Sequence, residues 1–315
     1  MIKTIVSFFT SQNPDKYWLQ TLVILAIIMG CILLYKRQNL SPYYEGFSQN
    51  SKFVLKQNAD VYDDFYVEIY NQLMQPCKRV DFEIDSIIQM TDPNVDTSVF
   101  LDIGSGTGDL VDRLHRRGYV VFGIDRSQSM VNFAEKKYPE AQIKCGNVNE
   151  PMLYDRGTFT HILCVGMTIY QFSDKMEFFR NAYYWLMSGG YLIVNLVDRD
   201  QFDTIVPGGK PPLLSSPQKY SQTRITDTII DFVDFEYKGS YAFDKNQTNE
   251  VVFKETFTDE LTKNVRQNEM ILQMENMNDI LKMATYCGFV VKGQVKMGSC
   301  TGDDHQYLCI LERPN

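Results

Sequence analysis

Phe100-Leu101-Asp102-Ile103-Gly104-Ser105-Gly106-Thr107-Gly108 is the stretch on which the fold turns. A short apolar run, 98–103, reads as a strand, and the amphipathic run 109–117 reads as a helix. Three glycines at alternate positions lie between them, where they allow a tight turn and close approach of a ligand to the backbone. Seventeen residues beyond Gly108, a second strand (119–124) leads into Asp125. In a doubly wound α/β fold, an acid at that strand tip accepts hydrogen bonds from the ribose hydroxyls of an adenosine cofactor. Glycine turn and acid together say far more than a glycine loop alone.

The glycine spacing here is G-x-G-x-G, whereas a dinucleotide turn has G-x-G-x-x-G. Charge discriminates further, because a pyrophosphate needs a helix N-terminus free of anions. Asp102 precedes this loop and Asp109 opens the helix, so two carboxylates flank it. They suit a cofactor carrying a sulfonium and an ammonium, S-adenosylmethionine, and argue against a nicotinamide dehydrogenase.

Outward from the motif, strands and helices alternate. Helix 127–137 is capped by Ser127. Strands fall at 142–145, 161–165 and 191–197, with helix 175–187 before the last. This alternation predicts a parallel sheet covered on both faces. Residues 58–90 read as helical, stopped at Asp92-Pro93. After Val197 the pattern breaks: 198–222 reads as a loop and 226–258 as added antiparallel strands. Helix 276–287, ended by Gly288, and strands 289–296 and 306–311 close the chain.

With these residues the chain resembles the class I S-adenosylmethionine-dependent methyltransferases of the small-molecule type, whose first motif is D-x-G-x-G-x-G. Asp125, Ser127 and Met130 are similar to that family's D-x-S-x-x-M, and Met187-Ser188-Gly189-Gly190 to its L-x-P-G-G turn, with Ser188 in place of proline. The resemblance spans about residues 60–313. It implies that Gly104, Ser105, Gly106 and Gly108 pass under the methionine part, with Asp102 near its ammonium. Asp125 would hold the ribose, with Arg126 and Met130 around the adenine. Asn147, where the family has Asp, and Val148 would lie beside the adenine N6. Val165, Gly166 and Met167 would face the sulfonium, and Tyr62, in a Tyr-Asp pair, would cover the cofactor. Tyr170 and His305 are candidates for the acceptor side. The other histidines, His115 and His161, read as solvated and structural, and Asp303-Asp304 as a solvated turn. No acid/base pair stands out.

The N-terminus is different. Residues 17–35 carry no charge, and at about 1.5 Å per residue such a helix spans about 28 Å, near the roughly 30 Å of a hydrocarbon core. Tyr17, Trp18 and Tyr35 stand at its ends, as interfacial aromatics do. Lys36, Arg37, Lys52 and Lys56 follow it, so the positive-inside rule puts the body in the cytosol. Residues 1–56 hold six Lys/Arg against two acids, a net of +4, which leaves −12 on the rest of a chain of net −8. An acidic body argues against nucleic acid as a partner. Seven scattered cysteines without a C-x-x-C predict neither disulfides nor a metal site, and the one sequon, at Asn246, weighs little.

The expected architecture is a tail (1–16), a transmembrane helix (17–35), a tether (36–57) and a methyltransferase domain (58–315) with a substrate-side insertion at about 198–275. That domain is α/β, a doubly wound, mostly parallel seven-stranded Rossmann-like sheet with an antiparallel β insertion. The expected function is a membrane-anchored, single-pass S-adenosylmethionine-dependent methyltransferase. Its acceptor would be a small molecule, a sugar or a lipid-associated group, methylated on N or O. The alternative is a non-catalytic, S-adenosylmethionine-binding adaptor.

Overall fold

The computed structural model describes residues 14–39, 51–150, 153–210, 216–243 and 249–315, with the side chains of 14–17, 32–39 and 76–78 left out. The chain divides into two compact units between Gly46 and Phe47. The first holds helix α1 (Pro14–Asn39). Of its described side chains, Trp18, Leu22, Leu25, Ile27 and Met29 are each more than half exposed. Among the described residues no helix is both long and apolar enough to cross a membrane. The described side chains of α1 run from 18 to 31, about 21 Å of rise. The tail at 1–13, the tether at 40–50 and the sequon at Asn246 lie outside the described residues.

The second unit begins with β1 (Phe53–Gln57), α2 (Asp64–Met74) and α3 (Pro76–Thr91). The alternating segment follows: β2 (Val99–Ile103), α4 (Asp109–Arg116), β3 (Val120–Asp125), α5 (Gln128–Lys137), β4 (Gln142–Cys145), β5 (Phe159–Cys164), α6 (Lys175–Trp185) and β6 (Leu186–Val197). Next come β7 (Asp227–Asp231), β8 (Phe235–Phe243), β9 (Glu250–Asp259) and β10 (Val265–Gln273). Helix α7 (Met277–Tyr286), β11 (Val290–Lys296) and β12 (Gln306–Glu312) complete the chain.

The main sheet has the order β11-β12-β6-β5-β2-β3-β4. Strands β6, β5, β2, β3 and β4 run parallel, and β12 and β11 join antiparallel. Strand order reverses at β2 and β5, so the glycine loop after β2 opens at the crevice where such sheets bind ligands. One core cluster joins Val80, Ile84 and Ile87 of α3 and Leu110, Val111 and Leu114 of α4 to Phe100, Val121 and Ile193 of the sheet. Gly108 (φ +80°) belongs to that packing. A Cβ there would lie 2.9 Å from Ile143 Cδ1 and 3.0 Å from Ala134 Cβ.

The second sheet, β1-β10-β9-β8-β7, is antiparallel except for the parallel β1–β10 pair. Alternate residues of β8, β9 and β10 point inward, among them Tyr237, Phe253, Glu255, Phe257, Arg266 and Asn268, all buried. Phe65 of α2 meets Phe257 edge-on at 5.3 Å between ring centres.

Three expectations change. The helix over 58–90 is a short 3-10 helix (Asn58–Val61) followed by two α-helices, the latter pair broken where Gln75 adopts the left-handed conformation before Pro76; proline disfavours helical geometry in the preceding residue. Residues 53–57 are strand β1 rather than tether. Strand β10 escapes the hydrophobic pattern because two of its buried positions carry Arg266 and Asn268.

Replacing Gly108 with alanine should lower stability by about 2 kcal/mol, combining a left-handed backbone penalty with overpacking. Urea unfolding checks this. Cofactor affinity of the folded variant should stay within a factor of about two, because the added methyl enters the core and not the cavity.

Candidate active site

A cavity of about 470 Å³ opens at the carboxyl ends of β2, β3 and β5 and reaches across to the inner face of the second sheet. Its floor is the glycine turn. Gly104 (φ +70°) and Gly106 (φ +52°) are left-handed, a conformation that glycine takes without strain. Gly104 and Ser105 donate their N–H groups to Ile124 O at 2.8 and 3.2 Å. A Cβ on Gly104 would strike Thr168 at 2.6 Å, whereas one on Gly106 would meet nothing closer than Gly104 O at 3.9 Å. Gly106 therefore forms a cradle open to a ligand.

Asp125 fixes this turn. Its Oδ2 accepts from Gly106 N and its Oδ1 from Ser127 N, both at 2.9 Å. Burial pushes its carboxyl above the usual carboxylate range, against those two bonds. Each oxygen retains a lone pair for a hydroxyl of a bound ribose. Helix α5 is capped separately, by Ser127 Oγ accepting from Met130 N.

Around the adenosine end, Arg126 donates to Gln171 Oε1 at 3.1 Å, and Gln171 Nε2 donates to the Tyr62 hydroxyl at 2.9 Å. Ser127 Oγ donates to Tyr62 O at 2.6 Å, which ties this clasp to β3. Tyr62, Arg126, Met130, Asn147 and Val148 all line the cavity. Asn147 Oδ1 is already taken by the N–H of Asn149. Asn149, also in the lining, has a buried Oδ1 without a hydrogen-bond partner. Asn147 Oδ1 keeps a second lone pair, and Asn149 Oδ1 is unpartnered among the described residues, so both amides offer an acceptor at this end of the cavity.

At the opposite end, Gly166 (φ +64°) and Met167 (φ +66°) form the tip after β5, and Asn195 of β6 holds it by accepting from Met167 N at 3.0 Å. Arg79 lies against this tip: a Cβ on Gly166 would sit 2.7 Å from its Nη1. Arg79 also bonds Glu83 Oε1 at 3.1 Å, while Glu83 Oε2 is buried without a partner. Arg79 thus sets a cation behind the tip, outside the cavity lining.

Several expected site residues stand elsewhere. Asp102 is buried beneath the turn and outside the lining; burial, then Glu83, push its carboxyl well above the usual range. Asp109 accepts from Tyr138, Thr107 and Lys137. Burial raises its carboxyl, but those bonds outweigh burial and hold it below the usual range. Asp109 is committed to these three neighbours, so of the two acids flanking the turn only Asp102 adds to the field beneath it. Ser105 Oγ is buried without a partner, and Val165 packs in the core. The Tyr170 hydroxyl accepts from Val197 N at 2.8 Å, and Tyr170 is absent from the cavity lining. His305 is absent from the lining, its N–H bound to Asp303 Oδ1. Asp303 is buried and accepts from Asp203 N and Gln306, so it is no solvated turn. His161 stacks on Phe100 at 4.4 Å, and burial lowers it to about 4; His115 is exposed beside Glu140.

The acceptor side of the cavity is aromatic and apolar. Tyr62, Tyr66, Tyr70 and Met74 form one wall, spaced by four residues, and Tyr241, Phe253, Met270 and Leu272 of the second sheet form the other. That tyrosine spacing was open to view in the sequence. Arg79, Asn149 and Gln171 carried no local signal.

Residues 101–194 match the family model described as a methyltransferase domain. An uncharacterized methyltransferase of Alkaliphilus oremlandii is 31% identical over 91 residues, which span 29% of this chain and 42% of that protein. The chain therefore covers less than half the length of this relative. Among solved structures, an S-adenosylmethionine-dependent methyltransferase from Clostridium acetobutylicum superposes with a TM-score of 0.60 at 18% identity, over 79% of this chain and 98% of that one. A sugar N-methyltransferase from a Streptoalloteichus species gives 0.54 at 14%, over 75% and 87%. Residues 101–194 thus form a methyltransferase domain, and the fold around them is one shared with S-adenosylmethionine-dependent methyltransferases.

Proposed function

We propose that the protein transfers a methyl group from S-adenosylmethionine to a small, partly apolar amine or hydroxyl compound, and that α1 tethers it to a membrane. The observation that carries the transferase reading is the open cradle at Gly106 held by Asp125, at the strand-order reversal of the sheet. When bound, the cofactor supplies a methyl group made electrophilic by its sulfonium sulfur. This chain's residues supply position. Asp125 would hold the ribose, and Asn147 and Asn149 the adenine amino group. The tyrosine wall then shapes a dry space for the acceptor, where holding two reactants together lowers the barrier. The sugar N-methyltransferase of Streptoalloteichus shares the fold, which supports an amine or sugar acceptor. The tether rests on the charge-free run 17–35 and the exposed apolar side chains of α1.

Asp125→Ala removes an acceptor of charge-assisted hydrogen bonds and should weaken S-adenosylmethionine by about 2–4 kcal/mol, roughly 30- to 700-fold. Calorimetry with the folded variant tests the reading, and unchanged affinity would sink it. Gly106→Val fills the cradle and should abolish binding while circular dichroism stays that of a folded protein. As for the tether, the full chain should remain with membranes through a carbonate wash, and a chain beginning at Phe47 should not. Release of the full chain by carbonate would remove the anchor.

A further inference from the structure

Glu255 sits mid-strand in β9 on the inner face of the second sheet and has no exposed surface. Its Oε1 accepts from the hydroxyls of Tyr66 and Tyr237, both at 2.9 Å, and its Oε2 from Asn268 Nδ2 at 3.3 Å. All three donors are neutral. The nearby cation, Arg266, is committed elsewhere, with Nη1 on Asp63, Nη2 on Val61 O and Nε on Asn268 Oδ1. A buried carboxylate normally has a bonded cation or metal, because its charge is costly away from water. Among the described residues it has only hydroxyls and an amide as donors, and one of those hydroxyls comes from Tyr66, a residue of the cavity wall. Tyr66 lies in the aromatic wall between Tyr62 and Tyr70, at 5.6 and 6.1 Å between ring centres.

We propose that Glu255 takes a proton from the methyl acceptor through the Tyr66 hydroxyl, and that the acceptor is an amine that arrives protonated. The proposal rests on the methyltransferase reading of the same cavity. The ammonium N–H bond breaks and leaves its electron pair on nitrogen. The proton passes to Tyr66 Oη as the hydroxyl's own proton moves to Glu255 Oε1. The freed lone pair takes the methyl group, and sulfur keeps the pair of the bond that breaks. The product leaves as a methylated ammonium, and Glu255 then releases its proton through Tyr66 to solvent water entering the emptied cavity, so each turnover sets free one proton.

Chemistry selects the amine. Burial raises the Glu255 carboxyl to about 7, despite the bonds from Tyr237, Asn268 and Tyr66. That lies close enough to an amine of about 8 to exchange protons with it, and far too low to deprotonate an alcohol. The groups facing Glu255 are Tyr62, Tyr66 and Tyr70 from the α2 side, Tyr237 and Tyr241 from β8, and Arg266 and Asn268 from β10. Burial pushes all five tyrosines up, so they stay neutral from pH 5.5 to 8.5, where arginine stays charged. Glu255 is the member of this group that changes charge in that range.

Sinefungin carries a protonated amine where the cofactor carries its methyl group, and S-adenosylhomocysteine carries neither. The ratio of their affinities, measured by calorimetry on the full chain, reports the charge facing the reacting position. In the wild type the preference for sinefungin should rise about tenfold between pH 5.5 and 8.5, with its midpoint near 7. Glu255→Gln should flatten the rise while S-adenosylhomocysteine still binds. Tyr66→Phe, which keeps the ring and removes the hydroxyl, should flatten it too. A flat wild-type ratio overturns the proposal without any variant, and so does a full rise in either variant. If the wild type binds neither ligand, the methyltransferase reading itself fails; if it binds both with a flat ratio, only the role of Glu255 does.

Discussion

The two hydrogen bonds accepted by Asp125 hold the site together. A loop with left-handed residues at 104, 106 and 108 has few contacts of its own, and alternate glycines cost conformational entropy on folding. Asp125 Oδ2 draws Gly106 N toward β3, and Oδ1 draws Ser127 N into the start of α5. One carboxylate thereby locks the turn after β2 to the turn after β3. Ser127 then carries the lock onward, because its Oγ both caps α5 and donates to Tyr62 O. Loss of the carboxylate would release floor, ribose wall and lid together, so its effect on binding should exceed that of one lost ligand contact.

The second sheet depends on a different constraint. Its inner face carries Glu255, Arg266 and Asn268 among Phe253, Phe257 and Tyr237. Such a polar group is tolerated inside only when its donors and acceptors are matched. Arg266 bonds Asp63, which also caps α2 through Tyr66 N. Asn268 links Arg266 to Glu255, and Tyr66 returns from Glu255 to α2. This closed circuit sets α2 against the sheet and fixes the tyrosine wall of the cavity.

Much of this was legible in the sequence, for identifiable reasons. The strands and helices of the main sheet announce themselves by apolar runs and by the cap at Ser127, and Gln142–Cys145 has the expected bounds. Gly104, Gly106, Asp125 and Met167 line the cavity, and each was legible because local strand and turn geometry alone places it there. Failures came where a residue's role depends on a distant partner. Gly108, Ser105 and Val165 share the motifs but face the core. Tyr170 was placed by its distance along the chain from the β5 tip, yet its hydroxyl is taken by Val197 N. Strand β10 was hidden because Arg266 and Asn268 occupy positions where the alternation calls for apolar side chains.

Two carboxylates beside the turn would disfavour a pyrophosphate, but Asp109 spends its charge on Tyr138, Thr107 and Lys137. Asp102 is buried, its pKa raised by burial and then by Glu83, with Arg79 pulling the other way. The local field therefore depends on how Asp102, Glu83 and Arg79 share one net negative charge. A ligand bringing an ammonium suits that balance, because its charge meets an opposite one. A pyrophosphate brings only anions and nothing that could compensate Asp102, since Arg79 is already paired with Glu83. The charges beneath the turn thus form a mixed cluster spanning α3 and β2, with Arg79 contributed from 25 residues upstream of Gly104, and not a simple pair of flanking acids.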